Sequence, residues 1–98
     1  MTGKRKDGAK LEIRKLPISK IAPAPYNPRE ISDKALEGLT ASIREFGLVE
    51  PLVWNKRTKR LVAGHQRLKA LQKLGATEAE VVVVDLPESR EKALNVAL

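Results

Sequence analysis

Apolar positions along the chain fall into short runs, and the spacing inside each run separates strands from helices. In "LEIRKLPI", Leu11, Ile13 and Leu16 stand among polar residues in the manner of a half-buried strand. In "SDKALEGLTASIREFG", Leu36, Leu39, Ile43 and Phe46 recur at the period of one helix face. Ser32 is suited to cap that helix, Ile31 to staple onto Leu36, and Gly47 to stop it. Two apolar runs, Pro51 to Trp54 and Leu61 to Ala63, flank a polar turn, which predicts a β-hairpin with a basic tip and Trp54 in the core.

A second helix is expected from about Gly64 to Leu74, with Leu68, Leu71 and Leu74 facing inward and Gly75 ending it. The β-branched run "EVVVVDLP" suits a strand covered on both faces. Asp85 and Glu88 have the spacing of a capping box, so a third helix is expected to start near Pro87 and to carry Leu94 and Leu98. The order strand, helix, hairpin, helix, strand, helix predicts an α+β domain with a small mixed β-sheet and three helices.

Between the first strand and the first helix, "APAPYNPRE" holds Pro23, Pro25 and Pro28, which exclude helix and favour a rigid, extended segment able to position side chains. Residues 1–10 are polar and aperiodic and read as a disordered basic tail before one domain at 11–98. The last helix pattern is still open at Leu98, which fits a homodimer or a fused partner domain packed against that helix.

Composition narrows the chemistry. The chain of 98 residues has no cysteine and a single histidine, so thiol chemistry is excluded and no metal site is expected from protein ligands alone. No run has the length of a membrane span or signal peptide, and the expected location is the cytoplasm, at the nucleoid. The net charge is +7, and Lys56, Arg57, Lys59, Arg60, Arg67, Lys69 and Lys73 follow one another without an intervening acid. Such an excess suits a polyanion, DNA or a nucleotide phosphate tail, although a merely solvated basic face has the same composition.

The stretch "LVAGHQRLKALQKLG" shows where an anion would sit. An apolar run stops at Gly64 and passes through His65, Gln66 and Arg67 straight into a helix, whose N-terminal amides and dipole favour negative charge. Arg67 adds a planar fork of donors, and His65 and Gln66 add further donors. The rigid segment offers Arg29 and Asn27 from a pre-organised extended backbone, and the hairpin bases are nearby in sequence. The plain alternative is a tight glycine turn, an ordinary histidine near a helix start, and Arg67 paired with an acid elsewhere. No Ser/His/Asp constellation is readable. Glu50, before Pro51, is a weak catalytic candidate as a metal holder or base, and His65 is the other.

Two stretches, "YNPREISDKALEGLTASIREFGLVEPLVW" and "RLVAGHQRLKALQKLGATEAEVVVVDL", together resemble the ParB-like N-terminal domain of the ParB/sulfiredoxin superfamily over residues 11–98. The order of motifs, an N-P-R box, a helix ending in glycine, an x-P-L strand and a G-x-x-R-x-x-A box opening a helix, carries the likeness. The resemblance implies a fold whose box cradles nucleotide phosphates and, in the partition proteins, cytidine triphosphate (CTP) with Mg²⁺ acting as a switch on DNA. Carried over by position, Gly64, Arg67 and Ala70 match the box, Arg29 the N-P-R motif, and Gly47 and Pro51 the segment that meets the nucleotide.

Some positions depart from that pattern. His65 and Gln66 replace the glutamate and arginine usual in the middle of the box, and Glu50 replaces a glutamine. The chain ends near the point where partition proteins have a Glu-Asn pair, so neither nucleotide hydrolysis nor centromere-type reading follows from the resemblance. Sulfiredoxin activity needs a cysteine where His65 stands, and the branch that phosphorylates free serine uses a glutamate in this box. "VAGHQRLKAL" looks most like ParB-like modules that precede DNA methyltransferase domains in phage and mobile elements.

The expectation is therefore a nucleotide- and/or DNA-binding module in DNA partition, modification or regulation. Arg29, Gly47, Glu50, Pro51, Gly64, His65, Gln66 and Arg67 would form the phosphate site. Lys56, Arg57, Lys59, Arg60, Lys69 and Lys73 would face DNA. A ParB-like nuclease or CTP hydrolase, a nucleotide-dependent phosphotransferase, and a purely electrostatic DNA-binding domain are the alternatives.

Overall fold

The computed structural model describes residues 12–26 and 30–98. Its elements are β1 (Glu12–Pro17), a short 3-10 turn (Ile18–Lys20) that the sequence reading did not anticipate, α1 (Asp33–Phe46), the hairpin strands β2 (Leu52–Asn55) and β3 (Arg60–Ala63), α2 (His65–Lys73), β4 (Glu78–Val84) and α3 (Glu88–Ala97). The strands form one mixed sheet in the order β1-β4-β2-β3, with β4 antiparallel to β1 and parallel to β2. The predicted α+β architecture, with a small mixed sheet and three helices, is the one observed.

Register explains which residues form the core. Leu52 pairs with Val81 and Trp54 with Val83, so these four share one face. Together with Ala79 they are buried under Leu68 and Leu71 of α2 and Ile43 of α1. Val53 and Val82, one residue out of step, lie on the opposite face, toward α3, and are half-buried. Full burial of a leucine or valine is worth about 1.5–3 kcal/mol, against about 0–1 kcal/mol for an exposed ion pair such as Lys15–Glu78. The apolar layer therefore decides the fold.

Helix α1 follows the local signals. The Ser32 side chain accepts a hydrogen bond from the Ala35 amide at 3.1 Å, and Gly47, at φ 81°, donates its amide to the Ile43 carbonyl. Phe46 does not join the core and is 68% exposed. At 14 residues α1 is longer than the nine-residue α2 on which it packs.

Other expectations are corrected. Leu11 and residues 1–10 lie outside the described residues. Leu16 pairs with Ala79 and turns toward the core, whereas Ile13 pairs with Val82 on the other face and is 59% exposed, because three residues separate the two and β1 is an edge strand. The Asp85–Glu88 capping box does not form. Pro87 is the N-cap, two residues too late for Asp85, which pairs instead with Arg57. Leu98 is 54% exposed and Leu94 only half-buried, and the buried residues of α3 are Glu91 and Asn95. Among the described residues no helix is long and apolar enough to cross a membrane.

Candidate functional site

Between the end of β3 and the start of α2 stands Gly64, at φ 97°, a left-handed conformation that side chains disfavour. A Cβ there would come within 2.6 Å of Leu52 Cδ2 and 3.1 Å of Arg67 Nη2. Backbone angle and space both demand glycine, and having no side chain it leaves the first turn of α2 without a side-chain cap.

Arg67 folds back over this glycine. Its Nη2 donates to the Pro51 carbonyl at 3.3 Å, while its Nε is buried without a hydrogen-bond partner among the described residues. An unpaired buried donor costs roughly 1–3 kcal/mol, more on a charged group, and an oxyanion is the kind of acceptor that would offset it.

A cavity of about 340 Å³ opens at this junction. Glu50, Pro51, Gly64, His65, Gln66 and Arg67 form one side, Val53, Val62, Ala63 and Val82 of the sheet form its floor, and Asn95 and Leu98 close it from α3. Arg67 and the positive end of the α2 dipole oppose the carboxylate of Glu50, which is exposed. Six of the residues expected at the phosphate site are thus brought together. Gly47 caps α1 and is not among the lining residues, and Arg29 lies outside the described residues, as does Asn27.

His65 turns its ring toward the proline-rich segment. The Ala24 amide donates to His65 Nε2 at 3.1 Å, so this nitrogen is already engaged as an acceptor. A second cavity, about 220 Å³, lies beyond it between Pro23, Ala24 and the α2 residues Leu68, Lys69 and Gln72, and shares His65 and Gln66 with the first. Among the described residues no group of three or more His, Cys, Asp or Glu could hold a metal ion.

The basic residues do not form one patch. β3, four residues or about 13 Å long, separates the hairpin tip from the start of α2. At the tip, Arg57 pairs with Asp85 at 3.0 Å, and Arg60 pairs with Glu88 at 2.7 Å and Glu91 at 3.5 Å. The Glu88 contact, above all its hydrogen bond, raises Arg60 above its ordinary pKa and the same contact lowers that of Glu88. Lys59, at φ 64°, holds its Nζ 5.5 Å from the Trp54 ring centroid. Lys56 is exposed, Lys69 borders the second cavity, and Lys73 lies with Glu37, Thr40 and Arg44 in a shallow cleft.

The sequence reading missed a polar cluster around Glu91, which is completely buried. Tyr26 donates its hydroxyl to Glu91 at 2.5 Å, Asn55 its amide at 2.7 Å, and Thr58 its hydroxyl. Burial pushes the Glu91 carboxyl up, but these bonds and the Arg60 charge outweigh it and hold the pKa below its ordinary value. Burial and the bond to Glu91 push the Tyr26 hydroxyl up. The signal available was the i, i+4 spacing of Glu91 and Asn95, a polar stripe one residue out of step with Leu94 and Leu98.

Residues 2–98 match the ParB N-terminal domain. The probable chromosome-partitioning protein ParB of Campylobacter jejuni is 38% identical over 80 residues, covering 79% of this chain and 29% of that protein. The chain spans about three tenths of the length of the curated relatives it matches. The C-terminally truncated ParB of Caulobacter crescentus, crystallised with CTP-gamma-S, superposes with a TM-score of 0.78 at 26% identity, over 87% of this chain and 51% of that one. Sulfiredoxin from Arabidopsis thaliana shares the fold, with a TM-score of 0.72 at 24% identity over 89% of this chain and 99% of that one. The chain belongs to the ParB N-terminal domain family.

Proposed function

We propose that the cavity between Gly64 and Arg67 binds the phosphate groups of a nucleotide, CTP with Mg²⁺ first among them, and that the chain serves as a nucleotide-responsive module in DNA partition, modification or regulation at the cytoplasmic nucleoid. The observation that carries this reading is Arg67 itself. Its guanidinium is held over a glycine that tolerates no side chain, at a helix N-terminus, with a buried Nε lacking an acceptor. A cavity of about 340 Å³ lies at the lower end of the range for small-molecule sites. The CTP-gamma-S complex of the Caulobacter protein supports the choice of nucleotide.

Glu50 would repel a triphosphate directly. Magnesium commonly binds through one or two carboxylates plus substrate phosphates, so Glu50 has a consistent role as the carboxylate that holds the ion against the phosphate tail. His65 has one ring nitrogen, Nε2, already engaged by the Ala24 amide, which favours a binding module over a nuclease or phosphotransferase. The exposed bases Lys56, Lys59, Lys69 and Lys73 favour DNA backbone contact as a second property of the same module.

A thermal-shift panel of CTP, ATP, ADP and GTP, with and without Mg²⁺, tests the reading. A nucleotide at about 100 times its Kd stabilises the fold by roughly 2.7 kcal/mol, a rise on the order of 10 °C for a domain this size. CTP with Mg²⁺ is expected to give this rise, and Arg67→Ala to abolish it. No rise with any nucleotide overturns the proposal.

A further inference from the structure

The most deeply buried carboxylate lies outside both cavities. Glu91, at 0% exposure, gathers donors from three parts of the chain: Tyr26 of the proline-rich segment, Asn55 at the end of β2, and Thr58 and Arg60 of the hairpin. The next residue, Lys92, sets its Nζ 5.5 Å from the centroid of the Tyr26 ring, a second tie between the segment and α3. Asn55 also donates to the Leu86 carbonyl at 2.9 Å and accepts from the Leu86 amide at 3.0 Å, fixing the entry to α3.

Helix α3 is attached by polar bonds. Its buried residues are Glu91 and Asn95, and Asn95 donates to the Val62 carbonyl at 2.7 Å. An apolar seam tolerates sliding, whereas hydrogen bonds weaken steeply with misalignment. The elements so tied form cavity walls: Asn95 and Leu98 for the first cavity, Pro23 and Ala24 for the second, with His65 and Gln66 between.

We infer that Glu91 is a positioning residue that locks the proline-rich segment, the hairpin and α3 into one body, and thereby sets the shape of two cavities that it does not line. The effect on a ligand rests on the anion-binding reading above; the lock itself does not. A glutamate that only stabilised the fold would change the unfolding free energy and leave the folded protein's affinity untouched.

The test combines hydrogen exchange of the unliganded protein with calorimetric titration of inorganic triphosphate and of CTP with Mg²⁺, for the wild type, Glu91→Gln, Tyr26→Phe and the double variant. The Ala24 amide, bonded to His65 and two residues from Tyr26, is the reporter. Glu91→Gln is expected to speed exchange at Ala24 and along α3 together, roughly tenfold, while β4 stays protected. It is also expected to weaken triphosphate binding roughly fivefold or more, with the double variant no weaker than Glu91→Gln alone. A lowered melting temperature with unchanged Ala24 exchange and unchanged affinity overturns the lock, as does faster exchange in α3 alone. If the wild type binds neither ligand, the anion reading fails and the exchange at Ala24 decides the lock by itself. Should Glu91→Gln not fold, Tyr26→Phe, which keeps the ring and the other Glu91 donors, carries the same measurements.

Discussion

Single residues at the site are constrained by space and charge in ways that can be measured separately. Gly64→Ala would hold an alanine at φ 97° with its Cβ 2.6 Å from Leu52 Cδ2, combining a left-handed backbone penalty with overpacking. Those effects are about 1–2 and 1–3 kcal/mol, so urea unfolding should show a loss of about 2–5 kcal/mol. Glu50→Gln, by contrast, leaves stability within about 0.5 kcal/mol, as for other exposed positions, and reduces the Mg²⁺ dependence of nucleotide binding in calorimetry. The Glu91 cluster predicts a pH profile with two limbs. A carboxyl lowered in the folded state contributes stability above its ordinary pKa, and that contribution is lost as the pH falls through the folded value. Tyr26, raised above its ordinary 10.0, contributes stability below pH 10, and that is lost as the pH climbs beyond it. Glu91→Gln should therefore flatten the acid limb of unfolding free energy by up to about 1.4 kcal/mol per pH unit. Glu88, also lowered by its contact with Arg60, leaves a residual acid slope.

Elements whose local signals agree with their packing were legible in the sequence, and those held by polar contacts were not. In α1 the helical period, Ser32 and Gly47 all mark the same boundaries, and the element forms there. The hairpin and the glycine entry to α2 were equally readable, because strand alternation and a left-handed turn each have a residue signature. In α3 the hydrophobic pattern selected Leu94 and Leu98, yet the sheet is met by Glu91 and Asn95. A buried polar seam depends on partners such as Asn55 and Val62, 36 and 33 residues away, which no local window contains. The stability ranking on α3 should follow the structure. Asn95→Ala strands the buried Val62 carbonyl and should cost about 1–3 kcal/mol, whereas Leu98→Ala, at a position 54% exposed, should change stability by about 0.5 kcal/mol or less in chemical denaturation.

At the scale of the whole molecule, the positive charge is divided between two regions, the hairpin tip and α2. Sequence placed seven bases in a row, but β3 carries the chain about 13 Å between the hairpin tip and Arg67, and acids of the β4–α3 region neutralise Arg57 and Arg60. Lys56 and Lys59 remain at the tip without an ion pair among the described residues, and Lys69 and Lys73 remain on α2. If these four meet DNA phosphates, the logarithm of the binding constant should fall with the logarithm of salt with a slope of about −3.6. Replacing Lys56 and Lys59 by glutamine should weaken binding to every DNA sequence alike and reduce that slope by about 1.8, because each lost contact removes one released counterion. CTP affinity should not change in that variant. Arg67→Ala should do the reverse, removing the nucleotide response while leaving the salt slope in place, since its guanidinium is folded onto Gly64 and Pro51. A hairpin variant that lost nucleotide binding together with DNA binding would mean that one surface serves both ligands, contrary to the separation that β3 imposes.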